Sequence, residues 1–182
     1  MAEFTVALAG NPNVGKSTLF NGLTGLKQHT GNWAGKTVST AEGSFDYNGS
    51  RYKIVDLPGC YSLMARSAEE EAARDFIRSG AADLTVVVCD ATCLERNLNL
   101  VLQILELSTQ VIVCVNLMDE ARRKGILLDL DRLSALLGVP VVSTVAQCKA
   151  SQEALMQVVD QVMDGTLVCT PHLVTYPPEI EQ

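Results

Sequence analysis

The sequence predicts an α/β fold, a mostly parallel six-stranded sheet with helices on both faces, and three observations carry that prediction. Short apolar runs alternate with amphipathic segments along most of the chain, the pattern of repeated βαβ units. The stretch Gly10-Asn11-Pro12-Asn13-Val14-Gly15-Lys16-Ser17 fits G-x-x-x-x-G-K-[ST] and lies between an apolar run and a helical pattern. Asp56 and Asn116 stand at the C-terminal ends of strand-like runs, where open α/β sheets bind ligands.

Each element follows from local pattern. Residues 4–9 read as a buried parallel strand and 17–23 as the helix after the glycine-rich loop. Residues 27–36 are polar and glycine-containing, which predicts a long mobile loop. Residues 37–47 and 51–55 read as two strands joined at Asn48-Gly49, a hairpin-turn dipeptide. A helix over 67–79 has Glu69, Glu70 and Glu71 in its first turn, where acidic side chains suit the macrodipole, and Gly80 ends it. A strand over 83–89 leads into an amphipathic helix over 94–107, with Leu98, Val101, Leu102 and Leu105 on one face. A central strand over 111–115 is followed by short helices over 119–124 and 129–137, a last strand over 139–142 and a last helix over 151–163. Residues 1–165 thus form one domain, and 166–182, with three prolines and no period, form a tail or the start of a further segment.

Composition narrows the function. Fourteen Lys and Arg against 21 Asp and Glu give a net charge of −7, which speaks against nucleic acid or an anionic membrane surface as the main partner. The apolar runs 84–89 and 110–118 are too short to span a bilayer. Glu3 interrupts the start, so no signal peptide is expected. The six cysteines contain no C-x-x-C and are expected as reduced thiols in a cytosolic compartment. Cys89 and Cys93 lack His or Cys partners for a metal.

The loop from Asn11 to Thr18 predicts a phosphate cradle. Its glycines let backbone N–H groups converge on phosphate oxygens at a helix N-terminus. Lys16 would reach the β/γ-phosphates and Ser17 would hold Mg²⁺. A P-loop alone says nucleoside triphosphate; two further motifs choose the base and the class. Asp56-x-x-Gly59 offers a carboxylate toward Mg²⁺ and an N–H at Gly59 that senses a terminal phosphate. Asn116-x-x-Asp119 places a carboxylate able to accept from guanine N1–H and the N2 amine, contacts that adenine does not offer. Together they predict a P-loop GTPase, the Ras-like fold, binding GTP and GDP.

The chain resembles the cytoplasmic G domain of the bacterial ferrous iron transport protein B (FeoB) family. The resemblance rests on residues 10–21, on Thr30-Gly31-Asn32-Trp33-Ala34-Gly35-Lys36-Thr37-Val38, on Asp56-Leu57-Pro58-Gly59-Cys60-Tyr61-Ser62-Leu63 and on Asn116-Leu117-Met118-Asp119. It implies a slow GTPase stimulated by K⁺, at the cytoplasmic face of the inner membrane, regulating or energising Fe²⁺ import through a membrane domain of the same full-length protein. It also implies that Thr37 completes Mg²⁺ coordination with Ser17 and Asp56 when the γ-phosphate is present; the plain alternative is an exposed threonine at a strand start. Asn13 would bind K⁺ with the carbonyls of Gly31 and Trp33, or else brace its own loop. Trp33 is equally an aromatic awaiting a partner surface. The base would be met by Asn116, Met118 and Asp119 and by Thr144, Val145 and Ala146, the last through its N–H.

Three features depart from the usual GTPase pattern, the second of them shared by the family. Cys60 stands where many GTPases carry a water-orienting Gln. Leu117 replaces the usual lysine over the base. The stretch Thr144-Val145-Ala146-Gln147-Cys148-Lys149-Ala150-Ser151 lacks the expected glycines, so its path is expected to differ, with exchange of the last helix between two copies one route to a homo-oligomer. A nucleotide-sensing module with negligible hydrolysis and a P-loop NTPase with relaxed base specificity are the competing readings. His29, His172 and the scattered cysteines make no Fe²⁺ site.

Overall fold

The computed structural model describes residues 1–25 and 28–175. Seven strands form one sheet in the order β2-β3-β4-β1-β5-β6-β7. In chain order the elements are β1 (Ala2–Gly10), α1 (Lys16–Thr24), β2 (Gln28–Asn32), β3 (Ser39–Tyr47), β4 (Ser50–Asp56), α2 (Ala68–Arg78), β5 (Leu84–Asp90), α3 (Leu94–Leu107), β6 (Val111–Asn116), α4 (Met118–Arg123), α5 (Leu130–Leu137), β7 (Val141–Ser143) and α6 (Lys149–Met163). β1 pairs in parallel with β4 and β5, and β5, β6 and β7 continue in parallel. β3 is antiparallel to both neighbours.

Central strands are apolar on both faces because helices cover both. Along β1 and β5, Ala7, Ala9, Val87 and Cys89 point into a core shared with α2 and α3. Val6, Leu8, Val86 and Val88 point into a second core with Phe20 of α1 and Leu155 and Val159 of α6. The parallel register puts the C-terminal ends of β1, β4, β5 and β6 on one edge of the molecule, so their loops meet there.

The structure corrects the six-strand expectation and the mobile loop over 27–36. Gln28–Asn32 is a strand, antiparallel to β3 with Gly31 opposite Thr40. Its ladder uses backbone groups, so a polar segment pairs as well as an apolar one, and as an edge strand it is mostly exposed and shows no core-facing alternation. Lys27 lies outside the described residues. Elsewhere boundaries move by a few residues. Ser67, inside the expected helix, is the N-cap of α2, its hydroxyl accepting from the Glu70 N–H at 3.1 Å.

Residues 166–175 carry no helix or strand, yet they are held. The Thr170 N–H donates to Gly138 O at 2.8 Å and the His172 N–H to Leu137 O at 2.9 Å. The segment at Tyr176, where a further subdomain was expected to begin, lies outside the described residues. Among the described residues no helix is long and apolar enough to cross a membrane, and no group of three or more His, Cys, Asp and Glu is placed to hold a metal.

Candidate functional site

Where β1 ends, the chain turns through Asn13 and Gly15 at φ of 64° and 84°, and α1 begins at Lys16 with the unpaired N–H groups of a helix start. The turn encloses a cleft of 450 Å³ lined by Asn11, Pro12, Asn13, Gly15, Lys16, Ser17, Thr18 and Gly59. Eight sequence-predicted site residues therefore share one cavity. Gly59 reaches it because the segment after β4 is tied to β1: the Leu57 N–H donates to Leu8 O at 2.9 Å and the Cys60 N–H to Gly10 O at 3.2 Å.

Lys16 is 9% exposed. Its ammonium pairs with the Asp56 carboxylate and donates to the Leu57 carbonyl at 2.7 Å. Burial raises the Asp56 pKa above the ordinary carboxylate range, and the charge of Lys16 opposes that rise. Asn11 Oδ1, at the same cleft, is buried and has no hydrogen-bond partner among the described residues. An orphaned acceptor, a cation and a helix start around one cavity suit a ligand that carries both anionic and donor groups.

The base-side residues divide. Asn116 is fully buried, its Nδ2 donating to Val14 O at 3.0 Å and its Oδ1 accepting from the Thr144 hydroxyl at 3.1 Å. Both ends of its amide are thus engaged by protein, and it braces the phosphate loop against the 144–148 loop. Gly15 permits this: a β-carbon there would overlap Asn116 Nδ2. Cys114 Sγ lies 3.2 Å from Thr144 Oγ1 and extends the buried chain. Leu117 turns the backbone at φ 62° into α4. Beyond it Met118 is half-buried, while Asp119 is exposed, with Arg123 one helical turn away at 3.5 Å.

The 144–151 stretch folds back on α6. The Cys148 N–H donates to Val145 O at 2.8 Å, the Val145 N–H to Ser151 Oγ at 3.2 Å, and Gln152 Nε2 to Ala146 O at 2.7 Å. α6 starts at Lys149, two residues earlier than expected. Ser151 and Gln152 are loop-bracing residues that sequence reading did not single out. Gln103 is another: its Oε1 accepts from the Leu63 N–H at 2.6 Å and pins the segment after Gly59 to α3. No local signal marks any of the three, because each acts on backbone in a different element or turn.

Gly31, Trp33 and Thr37 are not in the cleft lining. They belong to an arm closed by the Trp33 N–H donating to Val38 O at 2.8 Å, with the Lys36 N–H donating to Trp33 O at 3.0 Å. Trp33 packs edge-on against Phe76 of α2 at 5.3 Å between centroids, so it is half-buried in this chain's own fold. Lys36 Nζ reaches Glu71 at 3.1 Å. Cys60 is 4% exposed, and burial, with the charge of Glu70 adding, pushes its thiol up to about 11. All six cysteines are free thiols.

Comparison with known proteins agrees with this geometry. The family model described as ferrous iron transport protein B matches residues 4–159. The Fe(2+) transporter FeoB of Escherichia coli K12 is 47% identical over 165 residues, which is 88% of this chain and 21% of that protein. The chain thus spans about a fifth of the curated relatives it matches. Among solved structures, the G domain of T. maritima FeoB is 43% identical at a TM-score of 0.80, covering 87% of this chain and 98% of that one. The cytosolic domain of T. maritima FeoB in a GDP form is 40% identical at a TM-score of 0.90, covering 98% of this chain and 70% of that one. The G domain of Methanococcus jannaschii FeoB is 46% identical at a TM-score of 0.78. A phosphate-loop cleft at the strand ends of a GTPase-type fold, matched over most of its length, places this chain in the ferrous iron transport protein B family, as a G domain.

Proposed function

We propose that residues 1–165 are a guanine-nucleotide switch that binds GTP and GDP, hydrolyses GTP slowly and is stimulated by K⁺. In this reading it serves an Fe²⁺ transporter through a membrane domain of the full-length protein, at the cytoplasmic face of the inner membrane. The observation that carries the proposal is the cleft in which the loop at Asn11 to Thr18 and Gly59 surround the Lys16 ammonium. Relatives in GDP form support the choice of nucleotide.

The residues fit Mg²⁺: Ser17 lines the cleft beside Lys16, and Asp56, paired to Lys16, keeps a carboxylate at the adjoining strand end. Ser17, Asp56 and Thr37 would hold the ion, which when bound neutralises charge on the phosphates. Lys16 would add its own positive charge against the phosphates, exchanging Asp56 for phosphate oxygens. Thr37 sits on the arm against α2, so its arrival at the cleft makes the arm the switched element. For K⁺, Asn13 is exposed at the cleft rim, and the Gly31 and Trp33 carbonyls would arrive with the same arm. Asp119 would read guanine N1–H and N2, and Ala146 would donate to O6.

Hydrolysis is slow because Cys60, the residue after Gly59, holds a neutral buried thiol that takes no proton from water at pH 7. The same cysteine favours a second reading, a nucleotide-gated module with negligible turnover. Calorimetric titration of GDP, a GTP analogue and ATP tests the first claim; equal affinity for ATP and GTP would remove the guanine assignment. Turnover in KCl against NaCl separates the two readings. Asn13→Ala should abolish the potassium effect while sparing nucleotide binding.

A further inference from the structure

We propose that Gln152 is a specificity-determining positioning residue: from α6 it fixes the Ala146 peptide so that its N–H faces the guanine O6. The inference rests on the guanine reading above and adds a residue that no motif includes. The stretch from Thr144 to Ser151 has no glycine to set its course, so its shape must come from partners. Two neighbouring groups are held from the first turn of α6. Ser151 Oγ accepts the Val145 N–H at 3.2 Å, and Gln152 Nε2 donates to Ala146 O at 2.7 Å. The peptide between them carries the Val145 C=O, which accepts from the Cys148 N–H at 2.8 Å; with Val145 N–H and Ala146 C=O fixed on either side of it as well, it is held from both ends. Its N–H, that of Ala146, makes no bond to the protein among the described residues. Ala146 lies two residues after Thr144, whose hydroxyl is bonded to Asn116, so the oriented amide stands near the Asn116-x-x-Asp119 motif.

Gly22 of α1 completes the device. The Gln152 amide lies against it, in the space that a β-carbon at position 22 would fill. The obstructed group is the far end of a flexible side chain, so a methyl at 22 displaces Gln152 rather than the backbone. Gly22 has no positive φ, and alanine is the better helix former. Gly22→Ala is therefore predicted to keep or raise the stability of α1 while weakening the grip on the base, two effects that a merely structural role for Gln152 does not combine.

The test titrates GDP, IDP and ADP into the wild-type chain and into Gln152→Glu, Gly22→Ala, Gln152→Ala and the Gly22→Ala/Gln152→Ala pair, with thermal melts alongside. Glutamate keeps the shape and loses the donor. GDP and IDP share O6, whereas IDP lacks the N2 amine that Asp119 reads. The expected result is that each single variant weakens GDP and IDP by the same factor, about fivefold to tenfold for one hydrogen bond. ADP binding should not move. Adding Gly22→Ala to Gln152→Ala should cost nothing further, because the displaced group is already gone. A wild-type chain that prefers GDP while the variants keep that preference overturns this inference alone, as does an equal loss for ADP. A wild-type chain that binds ADP as tightly as GDP overturns the guanine reading together with it.

Discussion

The phosphate-side loop and the base-side loop meet around Asn116, which bonds to both, and beyond that shared brace they hold their shapes by different means. The first, residues 11–17, is shaped by its own backbone, with Asn13 and Gly15 at positive φ and a helix opening directly from the turn. The second, residues 144–148, adds to one backbone turn, the Cys148 N–H on Val145 O, a set of side-chain bonds: its own Thr144 on Asn116, and Ser151 and Gln152 of α6 on Val145 and Ala146. A backbone-shaped loop fails when a β-carbon is added within it. A side-chain-braced loop fails when a partner several residues away is lost, and it can be retuned without touching the loop.

The largest expected effect breaks the phosphate side. Lys16→Ala leaves the Asp56 carboxylate, 17% exposed, without its cation, and stripping one partner from such a pair costs about 3 kcal/mol. Nucleotide affinity should fall about a hundredfold or more, since Lys16 is the cation of the cleft. Adding Asp56→Asn should recover much of the stability in a chemical melt and none of the affinity; recovery of affinity would move the phosphate site elsewhere. Gly15→Ala comes next. It forces a left-handed turn on an alanine, at about 1–2 kcal/mol, and pushes against Asn116. Its melting temperature should fall by roughly 5 °C or more, with GDP titration showing weaker binding. Gly22→Ala, by contrast, should leave the melt intact, so the two glycine substitutions sort stability from base recognition.

The same contrast decides what was legible in the sequence. β5 and β6 read directly because burial on both faces makes them near-continuous apolar runs. The loop from Asn11 to Ser17 read directly because its turn and the helix that opens from it are written in one contiguous run. β2 was hidden, since an exposed edge strand is held by backbone bonds that polar Gln28, His29 and Thr30 supply as well as valine does. Asn116 was recognised as part of a base motif, but its amide is spent on Val14 and Thr144, partners distant in sequence. Gln152 and Gln103 were passed over for the same reason: a glutamine reaching across to another element's backbone leaves no periodicity and no spacing. Thr37, Gly31 and Trp33 were placed by resemblance, and in the structure they sit on the arm against α2 instead of in the cleft lining.

The brace on the base side can be sharpened by two quieter substitutions. Thr144→Val keeps the volume and removes the hydroxyl that Asn116 Oδ1 accepts, a buried bond worth about 1 kcal/mol. Its melt should drop by roughly 3 °C, with GDP affinity falling more than ADP affinity. Cys114→Val should change neutral-pH stability least, by under about 1 kcal/mol, as a buried swap of similar volume. Its signature lies at alkaline pH. Burial pushes the Cys114 thiol from the ordinary 9.0 up to about 12, against a smaller opposing effect of the Thr144 hydroxyl. Because the folded pKa is the higher, the unfolded chain loses its proton first. The contribution is whole below pH 9 and is lost as pH rises from 9 through 12. Under reductant, wild-type stability should therefore decline over that window more steeply than the valine variant's, by up to about 1.4 kcal/mol per pH unit. Cys60, also raised by burial, adds the same sign to both proteins and cancels in the difference. Cys89 is raised by burial and further by Cys114, so its share of that coupling is removed with Cys114 and adds to the difference with the same sign. Parallel declines would mean that the Cys114 thiol ionises as freely in the fold as outside it, and that the chain Cys114-Thr144-Asn116 is open to water rather than sealed beneath the base loop.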